Sequence, residues 1–224
     1  MADRIRFQFS KGEEVRFLSH LDLLRTLQRA LRRAELPIAY SGGFSPKPLM
    51  SFGPALPVGI CSVAEYGDFE FSQKTDPKEF TARLNSTLPA GLRVIHAVSL
   101  PAGSPALMRV INAAEYEIIL AAKTPAEIEK RLAWLFGRDT FLVKRETKKR
   151  NITLNALPLL LEKPKIKPLA EGSSLTCRLA VGQAGNLRLG ELGSMLEFDY
   201  REVQITRTAL LIKEGEKYRV PIEN

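Results

Sequence analysis

The 224-residue sequence holds only two cysteines, two histidines and one tryptophan. Cys61 and Cys177 lie 116 positions apart, so there is no CxxC, no Cys/His cluster and no disulfide framework of the secreted kind. A zinc site needs about four ligands and an iron–sulfur cluster roughly three cysteines or more. Two cysteines with His20 and His96 build neither. No run approaches the ~18 apolar residues of a membrane span, and the opening MADRIRFQFS has no apolar core behind a basic head. Motifs of the GxGxxG, Walker, HExxH and GxSxG types are absent. The expectation is a soluble, cytoplasmic chain with no metal centre of its own, no recognised catalytic motif and no membrane contact.

What the chain has is positive charge. Thirty-three Lys and Arg against 25 Asp and Glu leave +8 and a pI near 9.6, while the 45% hydrophobic and 26% charged fractions are ordinary for a globular protein. A polyanion is therefore the partner to test. Divided at residue 110, the charge is 14 minus 10 and 19 minus 15, or +4 in each half, so neither half is simply a basic tail.

Residues 4–10 alternate, with Ile5, Phe7 and Phe9 on one face, the period of a half-buried strand. Ser19, with Asp22 three positions on, opens a helix over 20–35 whose apolar stripe is Leu21, Leu24, Leu27, Leu31 and Ala34; Pro37 stops it. Strands follow at 38–41, 49–52 and 65–71, a helix at 76–86 and a strand at 92–100. Beyond a Pro/Gly break at 101–112 come a strand at 113–121, a helix at 125–136 and extended pieces at 141–147, 152–161 and 174–181. A short helix at 189–196 and a strand at 202–212 close the chain. The order predicts an α+β fold of two tandem ferredoxin-like (βαββαβ) units, antiparallel sheets with helices on one face. The expected domains are 1–105, carrying a loop at 41–59, and 112–224, carrying a basic segment at 144–167.

Three places invite a polyanion. Arg25, Arg29 and Arg33 are spaced i, i+4, i+8 with Arg32 beside them, a stripe that repels itself unless an anion or solvent answers it. Segment 144–167 holds Lys144, Arg145, Lys148, Lys149, Arg150, Lys163, Lys165 and Lys167 against Glu146 and Glu162, a net of 8 minus 2. Loop 41–59 has 8 Gly or Pro among its 19 residues. There Gly42 and Gly43 permit exposed amides that cradle a phosphate, and Pro46 and Pro48 stiffen the chain around Ser45 and Lys47. Phe44 and Phe52 stack on unpaired bases or anchor the loop to the core, with anchoring favoured for Phe52. His20 is the one acid/base candidate near this loop. Metal-free RNA cleavage would pair it with Lys47, whereas a capping role at the helix start is the simpler reading.

The block RFLSHLDLLRTLQRALRRAELPIAYSGGFSPKPLMSFGPALPVG at 16–59, VKRETKKR, NALP at 155–158 and ITRTALLI at 205–212 together resemble the radical SAM-linked protein family. This is a bacterial domain found alone or joined to B12-binding radical SAM proteins. One departure is Asn155, where an acid of a D-x-x-P pattern is expected. The resemblance implies an RNA-binding or substrate-presenting accessory, not itself an enzyme, of a radical SAM enzyme in tRNA or rRNA modification. An iron–sulfur cluster, S-adenosylmethionine and B12 would then belong to a partner chain. The expected architecture also looks like that of tandem ferredoxin-like endoribonucleases, an analogy of fold only. A metal-independent endoribonuclease and a protein adaptor without nucleic acid stay open as alternatives.

Overall fold

The computed structural model describes residues 3–146, 151–182 and 185–222. The fold is mixed α+β and mostly antiparallel, with five α-helices among the described residues and no closed barrel. The chain divides into two compact units, 1–111 with 209–224, and 112–208.

In the first unit β1 (Asp3–Lys11) buries Ile5, Phe7 and Phe9 on one side. Ser19 caps α1 (His20–Arg33), its Oγ accepting from the Asp22 amide at 3.2 Å and donating to the Asp22 carboxylate at 2.6 Å. The stripe that α1 buries is Leu23, Leu27, Ala30 and Leu31, continued by Ala34, and this corrects two expected core positions, Leu24 being only half-buried. Leu21 is 63% exposed, because the face centred on Leu27 turns it well away from the sheet. Residues 38–41 form no strand; Ile38 and Tyr40 make single bridges to Phe71 and Pro48. The Ala39 amide donates to Glu70 and the Leu49 amide to Ala39, so this stretch follows the neighbouring strand without a ladder.

Two strands follow, β2 (Met50–Phe52) and β3 (Cys61–Phe71), then α2 (Pro77–Asn85), which Asp76 caps through two amides, and β4 (Leu92–Ser99). β3 pairs with β1 and β2, and β1 pairs with β4, giving the neighbour order β4, β1, β3, β2. Phe69, Phe71, Phe80, Leu84, Leu92 and Val94 join the apolar faces of β1 and α1 in one core, so both helices lie on the same side of these strands. Gly67 on β3 is required here: a Cβ would stand 2.7 Å from the Phe7 ring.

The 101–112 stretch is more than a linker. It holds the short α3 (Leu107–Val110), and Leu107 and Ile111 are buried. Arg6, buried and paired with Asp68 through two hydrogen bonds of 2.7 and 2.9 Å, also donates to the carbonyls of Pro105 and Pro221. That clamp ties both flanking segments to β1, and residues 209–224 group with the first unit instead of the second, where chain order alone would put them.

The second unit opens with β5 (Ala113–Leu120). Next is α4 (Pro125–Phe136), started by a Thr124/Glu127 capping box. Then come β6 (Leu142–Glu146) and β7 (Asn151–Asn155), which pair only with each other among the described residues. β8 (Lys165–Pro168) pairs with β9 (Ser173–Ala180), and β9 with β5. The 152–161 piece is therefore not the sheet strand the sequence suggests; β8, which periodicity misses at four residues, takes that place. After α5 (Leu189–Leu196), β10 (Gln204–Glu214) neighbours β5, and its last six residues, 209–214, belong to the first unit together with β11 (Lys217–Arg219).

Candidate nucleic-acid interface

The outer face of α1 carries the arginine stripe away from its buried leucines. Arg25, Arg29, Arg32 and Arg33 are all exposed. They are not equivalent. Arg33 is committed to the Thr87 carbonyl at 2.5 Å, which anchors it to the turn after α2. Arg25 meets Asp22 only at 3.5 Å and Arg29 reaches the Thr26 hydroxyl at 3.4 Å, both weak contacts in solvent. Arg32 makes no ion pair or side-chain hydrogen bond among the described residues. The cations available to an anion are therefore Arg25, Arg29 and Arg32.

Loop 41–59 has two parts with different physics. Its first part is closed at the base: the Ser41 amide donates to the Lys47 carbonyl at 2.8 Å, and the Lys47 amide donates to Ser41 Oγ at 3.0 Å. Between them Gly42, Gly43, Phe44, Ser45 and Pro46 are exposed, with Gly43 at φ +99°, and Phe44 stands fully in solvent. The second part is anchored. Phe52 meets Phe9, Phe69 and His20 edge-on, at ring centroid distances of 6.3, 5.9 and 6.1 Å. The Gly59 amide donates to the Arg16 carbonyl. Of the two phenylalanines, Phe52 is an anchor and Phe44 is displayed.

His20 lies over a small cleft lined also by Lys11, Glu65, Tyr66, Phe9 and Phe52, with room for about one water. The buried Lys11 ammonium donates to the carbonyls of Arg16 and Leu18 at 2.7 and 3.0 Å, stapling the segment that leads into α1. Lys47 does not line this cleft, so the structure does not bring together the pair that a cleavage reading requires. Lys11, Glu65 and Tyr66 carry no signal in the sequence. They lie on β1 and β3 at ordinary strand positions, and only the antiparallel register, with Phe9 opposite Glu65 and Gln8 opposite Tyr66, gathers them.

In segment 144–167, Arg145 is withdrawn from the candidate contacts. It pairs with Glu191 at 2.5 and 2.7 Å and donates to the Asn186 carbonyl. Burial would raise the Glu191 carboxyl, but the hydrogen bonds from Arg145 and the Arg188 amide outweigh it and hold that carboxyl below its usual range. Lys144 is exposed, as are Lys163, Lys165 and Lys167. Lys165 and Lys167 flank the half-buried Ile166 on β8, so they share one side of an edge strand. Lysines there also discourage pairing with another chain's strand. Lys148, Lys149 and Arg150 lie outside the described residues.

His96 is exposed on β4 opposite Gln8. The Cys61 thiol donates to Glu13 at 3.2 Å; burial, with that hydrogen bond, pushes it up to about 11. Cys177 is fully buried, and burial raises its thiol far above the ordinary value. Among the described residues no group of three or more His, Cys, Asp or Glu is placed to hold a metal ion, and no helix is long and apolar enough to cross a membrane.

Fold and surface together define a two-unit α+β protein whose first unit displays arginines on α1 and an aromatic ring on a pinned loop. The chain belongs to the family described as "Uncharacterized protein conserved in bacteria (DUF2344)", which it matches over residues 4–189. No curated protein matches it. Among solved structures it is similar to the crystal structure of an unknown protein from Galdieria sulphuraria, at 13% identity over 92% of this chain and 98% of that one. The TM-score of 0.27 is too low for that likeness to carry fold or function. Neither match speaks to radical SAM chemistry.

Proposed function

We propose that this chain binds RNA and presents it, as an accessory without chemistry of its own, to a radical SAM enzyme acting in tRNA or rRNA modification. The observation that carries the RNA part is Phe44, held out in solvent by a loop whose base is hydrogen-bonded shut at Ser41 and Lys47. An apolar ring displayed at that cost in exposed surface suits an unpaired base, which offers a π-face whatever its sequence. Arg25, Arg29 and Arg32 on α1 supply phosphate contacts in the same unit, and the exposed Gly42 and Gly43 leave open space beside Phe44. Lys144, Lys165 and Lys167 offer further phosphate contacts in the second unit.

The radical SAM partner is supported by the resemblance of residues 16–59 and by the lack of cluster-binding cysteines in this chain. The ferredoxin-like reading of each unit is supported by the order β4, β1, β3, β2 in the first. In the second, β10, β5, β9, β8 follow the same order once the β6–β7 hairpin is treated as an insertion between α4 and β8.

Replacing Phe44 by Ala tests the RNA part. Affinity for a single-stranded oligonucleotide is expected to fall by about 1–3 kcal/mol with thermal stability unchanged. Unchanged RNA affinity would remove the loop from the interface. The partner part is tested by co-purification with a radical SAM protein carrying its reconstituted cluster.

A metal-independent endoribonuclease is the second reading, favoured by the gathering of His20 with Lys11, Glu65 and Tyr66. Against it, the Lys11 ammonium is already donated to two carbonyls, so it is poorly placed to meet a phosphorane. Cleavage in the presence of EDTA that is lost in His20→Ala would establish this reading over the first.

A further inference from the structure

Trp134 lies on α4 with Arg131 three residues before it and Arg138 four residues after it. Their guanidinium carbons stand 3.9 and 3.8 Å from the indole centroid. At those distances both guanidinium groups rest against the indole in van der Waals contact. The core side of α4 is Ile128, Leu132 and Leu135, all buried, whereas Trp134 is 42% exposed, and Phe136 and Leu142 are exposed as well.

The two arginines differ in what else holds them. Arg131 is fixed by an ion pair with Glu197 at 2.8 Å and by the Met195 carbonyl at 2.7 Å. Arg138 is exposed and makes no ion pair or side-chain hydrogen bond among the described residues, so its guanidinium rests on the indole alone. The ring is thus covered by one fixed cation and by one cation free to leave.

We infer that Trp134 is a stacking platform for one unpaired RNA nucleotide, an inference that rests on the RNA reading and adds a site in the second unit. A base takes the indole face that Arg138 covers, and Arg138 turns outward to the adjoining phosphate. The charge and the π-face are used together by this occupant. An acidic peptide would answer the guanidinium and leave the indole unused, and a duplex keeps its base faces stacked within itself.

Trp134 is the only tryptophan in the chain, so tryptophan emission reports on this site alone. The experiment titrates the full chain with short oligoadenylate, duplex RNA of equal length and oligoglutamate, following emission while the anisotropy of labelled RNA is read in parallel. Oligoadenylate is expected to quench the emission along the same isotherm as the anisotropy, and the other two are expected to leave it unchanged. Trp134→Leu is expected to weaken oligoadenylate binding about tenfold without altering duplex binding or the melting temperature. A rise in anisotropy with no change in emission overturns this inference and leaves the RNA reading standing. No anisotropy change with any RNA overturns both. Quenching by oligoglutamate alone assigns the surface to an acidic protein and also overturns it.

Discussion

Arg145 on the β6–β7 hairpin is locked to Glu191 at the start of α5 by two hydrogen bonds, with side chains only 16% and 11% exposed. This converts a residue that reads as part of a phosphate-binding run into a structural tie. The consequence is measurable in two ways. Arg145→Ala is expected to lower unfolding free energy by about 2–3 kcal/mol, since it strands a largely buried carboxylate. The same variant is expected to leave the salt dependence of the proposed RNA binding unaltered.

The pair also sets a pH dependence. Glu191 has its carboxyl lowered in the folded state from the ordinary 4.5. Its stabilisation is therefore complete above that value and is lost as pH falls through the lower folded value. Urea unfolding from pH 6 downward is expected to show a loss of stability in the wild type that is smaller in Glu191→Gln. Identical acid profiles would contradict the assignment.

Arg6 and Asp68 form the second such tie, buried on both sides. Asp68→Asn leaves the Arg6 guanidinium without its counter-charge beneath two carbonyls. A destabilisation of about 3–5 kcal/mol is expected by chemical denaturation. Because Arg6 also holds Pro105 and Pro221, hydrogen exchange near residues 105 and 221 should quicken in the same variant.

Cys61 is predicted to be a slow nucleophile despite partial exposure, because its thiol titrates only at about 11. Glu13→Gln removes the accepting carboxylate and its charge. Alkylation of Cys61 by iodoacetamide at pH 8 is expected to be faster in that variant, with Cys177 unreactive in both. Equal rates would show that Glu13 does not control the thiol.

Much of the fold is legible because its elements carry strong local signals. α4 and α5 fall on the expected residues, with Thr124, Glu127 and Pro125 marking the start of α4 and its i, i+3, i+4 leucine and isoleucine spacing the rest. Shorter elements are not legible. β8 has four residues and β11 three, too few for a period to emerge, while the β6–β7 hairpin carries strand periodicity yet joins no larger sheet among the described residues. Leu21 shows a different failure, since leucines at spacings of three and four fit two neighbouring faces of one helix, and only packing chooses the one with Leu23.

The candidate site is legible as charge but not as availability. Sequence spacing puts Arg25, Arg29, Arg32 and Arg33 on one stripe, and only the tertiary structure distinguishes Arg33, bound to Thr87, from the others. Arg145 and Phe52 likewise have partners 46 and 17 or more positions away that no local pattern reveals. Trp134 escapes notice because a single aromatic on a helix is usually core; its exposure and its two arginines appear only in three dimensions.

Whether the free arginines of α1 touch RNA decides the function proposed for this chain. Filter binding over a range of salt concentrations, comparing wild type with the triple variant Arg25→Ala, Arg29→Ala, Arg32→Ala, addresses this most directly. Loss of three phosphate contacts is expected to weaken single-stranded RNA binding and to flatten the slope of log K against log salt by about 2. Equal, weak and salt-independent binding by both proteins would contradict that contact.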